Sequence, residues 1–280
     1  MQADISVIIP LYNKGQIIER TIKSVLYQTY PHFELIIVDD GSTDNSVEVV
    51  RQFDDNRIRL FQQPNAGPSA ARNTGVRYAQ TDWIVFLDGD DELLPDALKH
   101  FNELRNKYKD VDIYNCRSYI RTGNKLKSTY HPIEGYVKNQ LKECYYGKCM
   151  PGAGFSMYRK DYICQYPYDE RLRRFEDAEL LIRLLPNARV FSSKIIVQIH
   201  DNNYAQASSP RKDISEDYAG HLSMKGKSFW AKMCVYRTFL ENRELYPQEM
   251  HRLYPTWYYR YDMLIIYKLL HWLYRYNKTR

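Results

Sequence analysis

Glu34-Leu-Ile-Ile-Val-Asp-Asp-Gly-Ser-Thr-Asp44 and Trp83-Ile-Val-Phe-Leu-Asp-Gly-Asp-Asp91 share one plan. Each is a short unbroken apolar run that ends on carboxylates and a glycine turn. Apolar runs without alternation suit strands buried on both faces of a parallel sheet. Ile5-Ser-Val-Ile-Ile-Pro10 is a third such run, and residues 57–62 form a weaker one. Helix-like stretches separate them, at 17–28, 46–53 and 69–79, and Leu94-Pro95 leads into a further one running to about 108. In the first of these Ile18, Ile22, Val25 and Leu26 share one face. Strands alternating with helices predict an α/β fold built on a parallel, Rossmann-like sheet flanked by helices. Ligands in such sheets bind beyond the carboxyl ends of the strands, where both acidic clusters fall.

The pattern loosens after residue 110. Residues 112–121 and 125–132 read as strands, 147–154 as a glycine-rich loop, 178–185 as a helix and 190–200 as a strand. From about 216 the chain reads as helices. This divides it into 1–215, with a nucleotide-binding half (1–110) and an acceptor half (111–215), and a helical extension, 216–280.

Charge follows the same division. The 280 residues carry 40 Lys+Arg and 34 Asp+Glu, a net of +6. The first hundred hold 9 basic and 15 acidic residues, whereas the last thirty hold 6 and 1. Such asymmetry suggests that the two ends meet different partners. No run of about 18 apolar residues is present, and the start lacks the basic and apolar regions of a signal peptide, so a cytoplasmic protein is expected. Five cysteines without a CxxC pair predict reduced thiols. The absence of GxGxxG after the first strand and of GxxxxGK[ST] counts against dinucleotide enzymes and P-loop NTPases.

Asp88 and Asp90, spaced i, i+2 about Gly89, can turn toward one point. Carboxylates at such a spacing suit Mn²⁺ or Mg²⁺, and magnesium-type sites combine one or two of them with substrate phosphates. An acidic turn before a helix has the same composition, so spacing alone leaves both readings open.

Jointly these motifs resemble the family 2 inverting glycosyltransferases of GT-A fold. The resemblance rests on Ser6-Val-Ile-Ile-Pro-Leu-Tyr-Asn13, Ser24-Val-Leu-Tyr-Gln-Thr-Tyr30 and residues 34–44 as quoted. It continues through Asn65-Ala-Gly-Pro-Ser-Ala-Ala-Arg-Asn-Thr-Gly75 and Phe86-Leu-Asp-Gly-Asp-Asp91. It implies that Pro10 and Tyr12 line the nucleotide base pocket and that Asp40, with Asp39 beside it, binds the base. Arg72 would approach the base or the diphosphate. Asp88 and Asp90 would form the DxD motif, Asp90 as metal ligand and Asp88 toward the ribose or the metal, with Asp91 in reserve. In Phe175-Glu-Asp-Ala-Glu-Leu180 it implies Asp177 as the general base and Glu176 as its acceptor-orienting neighbour. His200 would contact phosphate or metal, although a histidine at a strand end with its bonds satisfied locally reads equally well. The arginine usual in the loop after it is missing, with Arg211 or Lys212 as substitutes.

The resemblance implies inverting, metal-dependent transfer from a nucleotide-diphosphate sugar, UDP-linked, to a glycan or lipid-linked acceptor in bacterial surface polysaccharide synthesis. The competing expectation is an inactive nucleotide-sugar-binding scaffold in a polysaccharide assembly complex.

On a helical wheel of 257–278, Arg260, Lys268, His271, Arg275 and Lys278 share one side, and Tyr258, Tyr261, Ile265, Leu269, Trp272, Leu273 and Tyr276 the other. That pattern fits an interfacial helix on the inner face of the cell membrane, and equally a helix packing its aromatic side on the domain. No nucleic-acid-binding motif accompanies it.

Overall fold

The computed structural model describes residues 3–129, 133–204, 213–257 and 260–278. Its first half follows the sequence pattern closely. Strand β1 (Ile5–Leu11) pairs in parallel with β2 (Phe33–Asp39) and β4 (Trp83–Phe86), and β2 pairs in parallel with β3 (Ile58–Gln62). Helices α1 (Ile18–Leu26), α2 (Ser46–Arg51) and α3 (Pro68–Tyr78) connect them.

The unbroken apolar runs have a direct cause, because both faces of this sheet are covered. Val7, Ile9, Leu35, Ile37, Val85 and Leu87 pack with α1 and with Leu98 and Phe101 of α4 (Ala97–Lys107). Ile8, Ile36, Val38, Ile84 and Phe86 face the opposite way, toward α3. α3 lies so close to β1 that a Cβ on Gly75 would stand 2.3 Å from Ile8 Cγ2.

The second half departs from an all-parallel sheet. After β5 (Glu92–Leu93) and α4 come β6 (Ile113–Thr122), β7 (Lys125–Ser128), β8 (Gly135–Tyr136) and α5 (Gln140–Tyr145). Then follow β9 (Ser156–Arg159), α6 (Lys160–Ile163), α7 (Glu176–Leu184) and β10 (Val190–Asp201). The main path runs β3-β2-β1-β4-β9-β6-β10-β5. β9 is antiparallel to both β4 and β6, β5 and β8 are antiparallel to β10, and only β6 and β10 run parallel here. β9 has four residues and its pattern shows no alternation, so a periodicity reading passes over it.

Helices α8 (Phe229–Asn242), α9 (Pro247–Leu253) and α10 (Tyr261–Lys278) follow. Met233, Val235, Phe239, Met250 and Met263 share one hydrophobic core with Tyr158, Leu181 and Phe86. A buried polar network adds to this contact. Arg174, just before α7, donates to Asp217 Oδ2 at 2.6 Å and to Asn242 Oδ1 at 2.9 Å, and Tyr246 donates to the same Asp217 oxygen. Every charge in this buried group has a partner, which burial requires.

α10 corrects one sequence expectation. His271 does not project with the basic side; it packs on Tyr145 and Tyr267 and lies 3.3 Å from the Tyr145 hydroxyl. Met263 is buried, and Ile266, Tyr267 and Leu270 pack on the core, while Ile265 and Leu269 stay exposed. Tyr258 lies outside the described residues.

Candidate active site

The register puts the ends of β1, β2 and β4 on one edge, since Leu11 pairs with Asp39 and Ile8 with Phe86. The segments beyond these strands are tied together. Asn13 Oδ1 accepts from Thr43 N–H, Ser42 Oγ accepts from Asn13 N–H, and Ser46 Oγ accepts from Lys14 N–H. Pro10 is half-buried at this edge and Tyr12 is exposed, so its ring is open to a ligand.

Asp39 and Asp40 are both buried. Asp40 accepts from the Ala66 and Gly67 amides at 2.9 and 2.7 Å and from Gln63 Nε2 at 2.8 Å. It therefore shapes the turn into α3, where Gly67 has a φ of 94°, and keeps little acceptor capacity for a base. Asp39 accepts from the Ser42 amide at 3.1 Å and from Gln62 Nε2 at 3.3 Å.

Arg72 is the centre of the site. It is 4% exposed and enters from α3 between two acidic groups distant in sequence. Nη2 donates to Asp88 Oδ1 and Nη1 to Glu176 Oε1, each at 2.9 Å. The ring of Tyr168 lies 5.1 Å from the guanidinium carbon. Burial works against this charge, and Asp88, Asp177, Tyr168 and Glu176 together more than restore it. Asp177 sits in the first turn of α7, next to Glu176, and accepts from the Tyr168 hydroxyl at 3.0 Å. Burial pushes its carboxyl up to about 6, against the pull of Arg72. A carboxylate that titrates near neutrality is suited to general base work.

Asp88 and Asp90 each place one oxygen on a cation, Asp88 on Arg72 and Asp90 on Lys14 Nζ at 2.7 Å. The second oxygen of each lies outside those ion pairs. Burial, with Asp88 next in effect, pushes the Asp90 carboxyl above its ordinary value. No group of three or more His, Cys, Asp or Glu side chains converges to hold a metal among the described residues. Two carboxylates at a strand end do fit an ion that takes its remaining oxygens from a diphosphate. They do not form an all-protein cage.

Asp91 is not available as a reserve ligand. It is 1% exposed and accepts from the Asp201 amide, Gln198 Nε2 and His200 Nδ1. Its work is to join the turn after β4 to the end of β10. His200 is held by that contact at 3.0 Å, and the hydrogen bond pushes its imidazole up to about 9. Its charge therefore balances Asp91 first. Arg211 and Lys212 lie outside the described residues.

Three contributors escaped the sequence reading. Lys14 adjoins the first motif and Asn73 lies within a later one, but neither carries a recognisable chemical signature. Tyr168 is one of 26 tyrosines and has no local signal.

Comparison with known proteins assigns the family. The family model for glycosyl transferase family 2 matches residues 6–166. The chain belongs to glycosyl transferase family 2. Within that family, it is 47% identical over 127 residues to an uncharacterized glycosyltransferase of Haemophilus influenzae, covering 44% of this chain and 51% of that protein. It is 40% identical over 116 residues to the uncharacterized glycosyltransferase YibD of Escherichia coli, covering 41% and 33%. With the uncharacterized EpsJ of Bacillus subtilis it shares 31% over 187 residues, covering 62% and 54%. The chain thus spans a third to about a half of these relatives.

Among solved structures, S. aureus TarS 1–349 in complex with UDP-GlcNAc superposes with a TM-score of 0.70 at 19% identity, covering 86% of this chain and 73% of that one. TarS 1–349 without a named ligand gives 0.65 at 18%, covering 98% and 92%. These likenesses establish the GT-A fold for this family 2 chain.

Proposed function

We propose that this protein transfers a sugar from a UDP-linked donor to a glycan or lipid-linked acceptor, with inversion and with Mn²⁺ or Mg²⁺. One observation carries the reading: Arg72 holds Asp88 of the DxD turn and Glu176 of the Glu-Asp pair within one guanidinium. The donor-side and acceptor-side acids thereby meet across the site.

The roles follow from position. Pro10, Tyr12 and Asp39 border the base pocket, with Asp40 as the residue that shapes its wall. Asp88 and Asp90 would hold the divalent ion, which supplies charge stabilisation to the leaving diphosphate when bound. Lys14 and Arg72 supply fixed positive charge beside them. Asp177 takes the proton from the acceptor hydroxyl as that oxygen attacks the anomeric carbon from the face opposite the leaving group. Glu176, tethered by Arg72, orients the acceptor. His200 faces the same turn through Asp91.

The TarS complex with UDP-GlcNAc favours a UDP-sugar donor; the surface polysaccharide setting rests on the family resemblance alone. No helix among the described residues is long and apolar enough to cross a membrane. Exposed Ile265 and Leu269 beside Lys268 support contact of α10 with the cytoplasmic face of the membrane.

Release of free UDP from a panel of UDP-sugars, in Mn²⁺, Mg²⁺ and EDTA, tests the proposal. Metal-dependent release from one donor is the expected result. Binding of UDP with no turnover of any donor, every plausible acceptor supplied, would favour the scaffold reading.

A further inference from the structure

Tyr168 lies on the segment between α6 and α7 and is 4% exposed. Its hydroxyl donates to Asp177 Oδ1 at 3.0 Å. Its ring packs beside Arg72 and meets Phe86 edge-on, with centroids 5.6 Å apart. Asn73 of α3 grips the same residue by its backbone. Asn73 Nδ2 donates to the Tyr168 carbonyl and Asn73 Oδ1 accepts from the Tyr168 N–H, both at 2.9 Å. Ring and peptide are thus both restrained, and the phenol is an aimed donor. Burial holds it well above its ordinary pKa, so it remains protonated.

We propose that Tyr168, clamped by Asn73, is the positioning residue for the Asp177 base. Its hydrogen bond fixes the rotation of the carboxylate and leaves Oδ2 as the oxygen that receives the acceptor proton. This rests on Asp177 acting as the base.

The groups facing Asp177 come from every side of the site. They are Arg72 from α3, Glu176 from α7, Asp88 beyond β4, Tyr158 from β9 and Tyr168 itself. Of these, Tyr168 is the one that hydrogen-bonds to the carboxylate. A donor to the ionised form favours that form, so its loss raises the pKa of the base.

A tyrosine that only filled space beside Phe86 would be replaced by phenylalanine without consequence for titration. Tyr168→Phe keeps the ring and removes the hydroxyl, and so separates the two roles. The expected result is an acid limb of kcat moved upward by roughly one pH unit, with a several-fold lower plateau and an unchanged KM for the donor. An acid limb coincident with that of the parent protein overturns the inference. Asn73→Ser, which loosens the clamp while keeping Tyr168, should move the limb the same way, and stands in if Tyr168→Phe folds poorly. There too, an unmoved limb overturns the inference. Asp177→Asn run in parallel separates the failures. If it transfers fully, the base assignment falls and this inference with it. If it is inactive and the Tyr168→Phe limb is unmoved, only the positioning role falls.

Discussion

Arg72 donates to Glu176 across 104 residues of sequence, at 2.9 Å, its own guanidinium buried and the carboxylate partly so. The same guanidinium donates to Asp88, so one side chain couples the two acidic motifs of the site. Breaking a buried ion pair by removing one partner leaves the other charge uncompensated, which costs about 3–5 kcal/mol. Arg72→Ala should lose stability on that order in urea unfolding and lose transfer. Arg72→Lys keeps the charge but not the planar fork, so it should fold and still fail to hold both acids, with transfer strongly reduced. Full transfer by Arg72→Lys would contradict the bridging role.

Asp177 gives a pH prediction with a definite sign. Its carboxyl is raised from 3.8 to about 6, chiefly by burial. A base works when deprotonated, so kcat should fall as pH drops through about 6. Asp177→Asn should reduce transfer by roughly 10²–10⁴-fold. Stability runs the other way. A carboxyl with a raised folded-state pKa binds its proton more tightly when folded, so its contribution grows as pH falls from above 6 toward 4. Parent and Asp177→Asn proteins should therefore differ in the slope of melting temperature against pH across that window. Equal slopes would mean that Asp177 is not the group held at about 6.

Metal removal tests the DxD turn. EDTA should abolish donor turnover, measured as free UDP, and Mn²⁺ should restore it. Asp90→Ala should not recover at any Mn²⁺ concentration while its circular dichroism spectrum stays that of the parent. Full turnover in EDTA would mean that Lys14 and Arg72 alone carry the leaving-group charge, and the assignment of Asp88 and Asp90 to a metal would fail.

Gly75 marks where α3 approaches β1, and an added methyl would meet Ile8 at 2.3 Å. Overpacking of this kind costs typically about 1–3 kcal/mol. Gly75→Ala should lower the urea midpoint accordingly and weaken transfer, because α3 carries both Arg72 and Asn73. An unchanged midpoint would show that the helix shifts freely, and that its distance from the sheet does not position the site.

The sequence by itself determined the four parallel strands β1 to β4 and the carboxylates at the ends of β2 and β4, but not the order in which the strands pair. Strands buried on both faces must be continuously apolar, and that requirement is local enough to read along the chain. It also determined the family motifs that single out Arg72, Asp88, Asp90 and Asp177. Only the tertiary structure decided what those groups touch. The four residues of β9, inserted antiparallel between β4 and β6, carry no periodic signal. The use of Asp40 and Asp91 as internal braces, the inward turn of His271 and the Tyr168–Asp177 hydrogen bond depend on contacts between segments distant in sequence or on the local path of the chain. Composition and spacing establish which groups are available. A buried carboxylate must find donors wherever packing places them, and that choice belongs to the folded chain.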